Sequence, residues 1–359
     1  MSPVSTLSFE FQLLHSSSKK SGRPLVKDRI IGAMATIPER VHVLPQVLDR
    51  LLPQIDKLYI YLNGHATVPD CVTRDKVRYV WSKDNGDVGA AGKFYFLDKI
   101  KRGYYFSLDD DFLYPEDYVY RMIMALKKYR DQLPVCVHGS IFGCPLEWYF
   151  ERLFVLGSTA HSVTDRFVQL LGTGTSAFHT DALPLSFKDF YPEVMCDAMF
   201  SIKAREYGLP IVSIARPAGW LINIADNSHS SDFQDYWTSM VLDDEGRTKL
   251  IQKYQWDYDS YKNIPTGFMQ MIHPNVTEAF LQKYSFDIEF LKASNQDVIP
   301  YSWQIKNSRL FFLRKYQHLR RERLIESGGM LTRREEVLVD DGSSINQLLS
   351  KIRLLRKQF

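Results

Sequence analysis

Apolar and polar positions change period repeatedly along the middle of this chain. Short runs rich in β-branched and aromatic residues predict strands at Arg29 to Ile37, Lys57 to Asn63, Lys76 to Ser82, Tyr104 to Leu108, Val135 to Ile141 and Ile211 to Ala215. Stretches of helical period lie between them: Leu44 to Gln54, Gly89 to Ile100, Pro115 to Arg130 and Met195 to Tyr207. Pro115 is expected in the first turn of its helix, where the missing N–H would have no partner in any case. Strands alternating with helices imply an α/β fold, a mostly parallel sheet with helices on its faces. In such sheets ligands gather at the carboxyl ends of the strands, so residues there are the first candidates for chemistry.

The ends of the chain read differently. Residues 1–27 are Ser-rich and lack a sustained period, and form an expected N-terminal extension in which Leu7 to Leu14 has the character of a strand. Beyond Asp232 the chain turns aromatic and helical, with Phe233, Tyr236, Trp237, Tyr254 and Trp256 followed by Thr277 to Leu291. A boundary near residue 240 therefore separates a domain of residues 28–240 from a mainly helical, basic region of residues 241–359.

Composition narrows the class. With 45% hydrophobic and 24% charged residues the chain is ordinary for a soluble globular protein, which excludes wholesale disorder. No apolar run approaches the roughly 20 residues needed to span a bilayer. Residues 301–359 carry thirteen Lys and Arg against six Asp and Glu, leaving a mildly acidic body with a basic appendage. Within it, Ile345, Leu348, Leu349, Ile352 and Leu355 form one helical face beside Lys351, Arg353, Arg356 and Lys357, which suits peripheral contact with an anionic membrane or an acidic partner, and equally packing of the apolar stripe on the rest of the protein. The four cysteines show no metal-ligand spacing and the chain starts without a charged, apolar leader, so the expected location is cytoplasmic, with peripheral contact on the inner face of the membrane.

The chemistry concentrates in Gly103 to Pro115, where an apolar strand runs straight into Asp109, Asp110 and Asp111. Adjacent carboxylates repel one another and call for a cation. Mn²⁺ or Mg²⁺ suits them, because a hard ion takes carboxylate oxygens and keeps positions for substrate phosphates. A solvated turn with an acidic helix cap is the plainer alternative. Further along, Asp84 to Lys93 holds Gly86, Gly89 and Gly92, and small residues at a helix start let backbone approach a diphosphate. Leu171 to His179 offers Gly172 and Gly174 among hydroxyls as pliable backbone, and Asp197 opens the helix that ends near Gly208.

From Arg29 to His229 these features resemble, in order, the GT-A glycosyltransferases, and especially the large inverting group with many bacterial capsule and cell-envelope enzymes. Asp109-Asp110-Asp111 matches their Asp-x-Asp motif. The resemblance implies a Rossmann-like GT-A sheet, a nucleotide diphosphate sugar donor and a carbohydrate or glycolipid acceptor, in surface polysaccharide or glycoconjugate synthesis.

It also implies roles. Asp109, Asp110 and Asp111 would meet metal and donor, with Asp109 and Asp111 as metal ligands and His229 as a third. Thr36, Pro38 and Arg40 would wall the nucleotide, and Asn63, Gly89 and Lys93 would line the donor site. Asp197 would be the general base, with Glu193 as fallback. Cys196 stands where many relatives place a Glu beside that base. His138 and His179 are expected near the site in structural or hydrogen-bonding roles.

Other classes fit less well. A sugar nucleotidyltransferase would carry a Gly-rich basic loop where this chain has Ala35 to Arg40, and an aspartyl phosphatase would place its acids by the first strand. A non-catalytic carbohydrate-binding protein has no use for three clustered carboxylates at a strand end. Nucleic-acid binding is not expected, because no reading module accompanies the basic end.

Overall fold

The computed structural model describes residues 22–142, 149, 152–192, 195–224, 244–254 and 256. The chain divides into two compact units, Met1–Val298 and Ile299–Phe359, and all described residues belong to the first. The expected boundary near residue 240, the Leu7 to Leu14 run, Glu193, His229 and the basic C-terminal segment lie outside the described residues.

Eight strands form the main sheet: β1 (Ile30–Thr36), β2 (Lys57–Leu62), β3 (Val77–Trp81), β4 (Tyr104–Leu108), β5 (Val135–Cys136), β6 (Arg166–Val168), β7 (Thr175–His179) and β8 (Ile211–Ser213). Their order is β3-β2-β1-β4-β7-β5-β8-β6. The first four are mutually parallel, as are β5 and β8, whereas β7 runs against β4 and β5 and β6 runs against β8. Besides a single α-helical turn at Ser82–Asn85, four longer α-helices accompany the sheet among the described residues: α1 (Leu44–Leu51), α2 (Tyr118–Lys128), α3 (Cys196–Glu206) and α4 (Asp244–Gln252). The mostly parallel, helix-flanked α/β architecture is the one the periodicity predicts and the GT-A resemblance implies.

Side-chain alternation sorts the core into two layers. On one face Ile30, Met34 and Phe106 pack with Leu48 of α1 and Met122 of α2. On the other, Ile31, Ala33, Tyr105 and Phe178 pack with Phe94 and with Phe200 of α3. Because both faces are covered, β1, β4 and β7 are buried along nearly their whole length, as central strands of such sheets require.

Four expectations need correction. Gly89 to Ile100 is not an α-helix but two 3-10 stretches, Gly89–Phe94 and Leu97–Lys99. Gly92 lies against Tyr61, where an added Cβ would be 2.7 Å from the Tyr61 Cβ, and so close a packing plus two glycines disfavours a regular helix. The helix expected from Pro115 starts at Tyr118, and Pro115 instead accepts the Tyr118 N–H in the preceding turn (3.0 Å). The strand expected over Val135 to Ile141 breaks after Cys136, and Gly139–Phe142 joins a separate three-stranded sheet with Arg152–Leu156 and Leu170–Leu171. Finally, the backbone read as pliable at Leu171 to His179 contains β7, fully buried between β4 and β5.

Candidate functional site

The carboxyl ends of β1, β2 and β4 lie at one edge of the sheet, where Thr36 is in register with Leu62 and Met34 with Leu108. Beyond β1 the chain turns through Pro38–Arg40, and beyond β4 it enters the acidic triplet. These two exits meet. One terminal nitrogen of Arg40, Nη1, contacts Asp110 Oδ1 at 2.5 Å and Asp111 Oδ2 at 2.9 Å. Lys93, from the 3-10 stretch, pairs with Asp109 Oδ1.

The triplet thus has two resident cations. Burial opposes the charge on Arg40, but Asp110 and Asp111 outweigh it and raise the guanidinium's pKa. Lys93 is likewise buried, and Asp109 overcomes that penalty to hold the ammonium charged. Asp111 behaves oppositely: burial, then repulsion from Asp109, pushes its carboxyl up to about 7 despite Arg40. Two carboxylate oxygens, Asp110 Oδ2 and Asp111 Oδ1, are buried without a hydrogen-bond partner. An orphaned acceptor costs about 1–3 kcal/mol, more when charged, so these bare oxygens suit a hard cation or a ligand donor. Among the described residues no group of three or more His, Cys, Asp or Glu is disposed as a metal cage. An ion here would therefore take part of its shell from substrate oxygens or water.

The second half of the site arrives on β7. Thr175 is in register with Leu108, which sets Thr173 and Gly174 beside the triplet. Asp109 donates its backbone N–H to Gly174 O (3.2 Å), and the Tyr114 hydroxyl donates to the same carbonyl (2.7 Å) while accepting from Asp109 N (2.9 Å). A Cβ on Gly174 would lie 1.8 Å from Asp109 Oδ2, so only glycine leaves that carboxylate in place. Thr173 reaches the other way. Its backbone N and its hydroxyl both donate to Asp197 Oδ1, at 2.9 and 2.6 Å. Two adjacent residues therefore connect the triplet to the acid at the start of α3.

Asp197 is half-buried in the first turn of α3, and both hydrogen bonds fall on Oδ1. Its neighbour Cys196 is buried, and that burial pushes its thiol up to about 12, so it brings no charge to the base position. His138 packs its ring on Gly172, and burial lowers its pKa against the pull of Asp197, leaving a neutral imidazole near that acid.

Most of the residues expected from sequence gather at this edge: Thr36, Pro38, Arg40, Asn63, Gly89, Lys93, Asp109, Asp110, Asp111 and Asp197. Some differ in role from the expectation. Asn63 is spent on the chain itself, donating to Gly89 O (2.9 Å) and accepting from Val88 N (3.2 Å), which fixes the glycine-bearing loop. Arg40 holds the triplet in addition to standing beside the expected nucleotide wall. Thr36 has a buried hydroxyl with no partner. His179 is not near the site: it is in register with Tyr104 at the far end of β4 and bonds Asp28 (3.2 Å).

Sequence reasoning missed Tyr114, the clasp between the triplet and β7, although it lies only three residues beyond the acidic run. It also missed His65, whose buried Nε2 has no partner and whose ring is kept neutral by burial. The glycine at 174 was noted only for pliability, whereas its lack of a side chain is what the geometry uses.

No protein-family model matches the chain, and no curated protein matches it. Among solved structures it is similar to the mannosyltransferase PcManGT from Pyrobaculum calidifontis, in complex with GDP-Man and Mn2+, at 11% identity over 88% of this chain and 90% of that one, with a TM-score of 0.43. It is similar to an active-site mutant of LgtC at 9% identity over 50% of this chain and 64% of that one, TM-score 0.28. A third likeness is to the apo bifunctional glycosyltransferase WbbM, at 10% identity over 51% of this chain and 36% of that one, TM-score 0.26. With every TM-score below 0.5, what the site does rests on its own geometry.

Proposed function

We propose that this chain is a metal-dependent GT-A glycosyltransferase that moves a sugar from a nucleotide diphosphate donor to an acceptor hydroxyl with inversion. The observation that carries the reading is the acidic triplet at the end of β4, with Asp110 and Asp111 buried and Asp109 half-buried, bare carboxylate oxygens on the buried pair, two cations beside it and a separate half-buried acid held across Thr173 and Gly174.

The division of labour follows from that layout. Asp109 and Asp111 would hold Mn²⁺ or Mg²⁺, with His229 as a further ligand, and the ion would supply positive charge for the diphosphate. Arg40 and Lys93 add positive charge next to the departing group, where a water-poor site strengthens it. Asp197, with Oδ1 occupied by Thr173, would use Oδ2 to take the proton from the acceptor hydroxyl. The acceptor oxygen then forms its bond to the anomeric carbon as the bond to the diphosphate breaks, and the nucleotide diphosphate leaves with the electron pair. Thr173 holds the base in one orientation, so that attack comes from the side opposite the triplet and inverts the anomeric centre.

The basic end fits a glycolipid or surface-polysaccharide acceptor at an anionic membrane, and among the described residues no helix is long and apolar enough to cross one. The test is a thermal-shift screen of nucleoside diphosphates and nucleotide sugars with and without Mn²⁺, followed by assay of released nucleotide. Stabilisation that depends on Mn²⁺, followed by release of a nucleoside diphosphate, supports transfer. Release of pyrophosphate would indicate a nucleotidyltransferase, and binding of sugars without any nucleotide would indicate a carbohydrate-binding protein.

A further inference from the structure

Arg40 and Lys93 both neutralise the triplet, but they are mounted differently. The Lys93 side chain is only 6% exposed, in a stretch whose Gly92 is wedged against Tyr61, while the Arg40 side chain is 20% exposed on a short turn at the rim of the site. Arg40 Nη1 also stands between Asp110 and Asp111, within 3 Å of an oxygen of each, which is ground a hard cation would need. Three carboxylates and two cations leave one unit of negative charge. A divalent ion entering alone would reverse that sign, with a guanidinium held a few ångströms away.

We propose that Arg40 is a resident counter-ion that releases Asp110 and Asp111 when a divalent ion enters and turns to the donor's diphosphate, so that ion and nucleotide bind as a mutually dependent pair. The proposal rests on the nucleotide-sugar reading above and adds an order of assembly to it. A guanidinium suits the exchange because its fork matches phosphate and carboxylate oxygens alike. Lys93 stays with Asp109 and keeps that acid in place. The charge of the incoming diphosphate makes room for both cations, so neither ligand binds well without the other. By linkage, each then raises the other's affinity by the same factor.

Isothermal titration of Mn²⁺ into wild-type, Arg40→Gln and Arg40→Lys protein, alone and with UDP or GDP in separate arms, tests this. In the wild type either nucleotide that binds should raise Mn²⁺ affinity by roughly 5- to 150-fold, the usual range of coupling. Arg40→Gln should bind Mn²⁺ alone about tenfold tighter than wild type and show a correspondingly smaller gain from nucleotide. Structural damage would weaken Mn²⁺ binding, so a tighter value is diagnostic, and Arg40→Lys should restore weak binding of the ion alone. If Arg40→Gln does not fold, Asp110→Asn and the double variant Arg40→Gln/Asp110→Asn give the same contrast with one fewer buried charge. Unchanged or weaker Mn²⁺ binding on loss of Arg40, with Mn²⁺-dependent nucleotide binding present in the wild type, would overturn the exchange and leave the transferase reading standing. Failure of wild type to bind either nucleotide, with or without Mn²⁺, would overturn both.

Discussion

The two halves of the site hold their acids by opposite means. On the β1–β4 side three carboxylates crowd together, and ion pairs from Arg40 and Lys93 keep them there. On the α3 side one carboxylate stands apart, oriented by a hydroxyl and an N–H from Thr173. A crowded, buried set of acids is built to meet charge, because it stores repulsion that a cation relieves. A single acid held by a hydroxyl and an N–H on one oxygen keeps its aim and leaves its other oxygen for a further partner, which suits proton transfer. On the proposed reading, the contrast would separate donor and acceptor tasks in space and in the type of interaction, with Thr173 and Gly174 as the shared boundary.

Substitutions on the two sides should therefore fail differently. Asp111→Ala should abolish transfer and the metal-dependent part of nucleotide binding without unfolding the protein, as read by assay of released nucleotide and by thermal shift. Normal turnover in that variant would erase the charged side of the contrast. Asp197→Asn should keep donor binding near wild type and lower the transfer rate by roughly 10²- to 10⁴-fold, the usual range for a lost general base. Loss of donor affinity with turnover intact would instead move Asp197 to the donor side. Gly174→Ala strikes the boundary itself: its methyl would displace the Asp109 carboxylate, and a displacement near 1 Å costs about 10²-fold in rate. Weakened nucleotide binding and slowed transfer should appear together in this variant, and a defect in only one of them would show that the halves are not joined there.

Acidity sharpens the contrast more gently. Burial and then Asp109 raise the Asp111 carboxyl to about 7, well above its ordinary value, so the folded protein holds a proton that the unfolded chain releases between those two values. Native protein therefore binds more protons in that window, and this group's contribution to stability falls as pH rises through it. In metal-free protein, Asp111→Asn should melt higher than wild type at pH 8, and the two melting temperatures should converge near pH 5. A constant gap across that range would remove Asp111 as the titrating group. The smallest effect is expected from the basic end of the chain. Removal of residues 344–359 should leave turnover on a soluble acceptor unchanged and reduce sedimentation with anionic vesicles at low salt, each lost basic residue counting for about 1 kcal/mol near such a surface. Equal sedimentation of both forms would discard the docking role.

The halves also differ in how much of them the sequence discloses. β1, β2 and β4 are parallel strands largely buried on both faces, and such strands announce themselves as apolar runs ending in turns, so their bounds and the triplet at the exit of β4 were legible. β7 was not, because Thr175-Ser-Ala-Phe-His179 mixes small and polar residues that read as loop and are apolar enough only in company with β4 and β5. The break after Cys136 was hidden for a related reason: the apolar run continues while the chain changes sheets at His138, and periodicity carries no information on which sheet a strand joins. Asp197 was legible from its place at a helix start. Its tie to Thr173 was not, since that pairing exists only once α3 and the turn before β7 come together across 24 residues of chain.

The Tyr114 hydroxyl, wedged between Asp109 N and Gly174 O, gives this arrangement a property that neither half has alone. It is fully buried with a phenol pushed well above its ordinary pKa by that burial, so it stays protonated and keeps its hydrogen bonds at neutral pH. The span between the triplet and Asp197 is thereby set largely by main chain and one rigid ring, with Thr173 completing it. If the proposed reaction holds, loops around the acceptor could vary in sequence without changing the reacting distance, so one such framework could serve different acceptors.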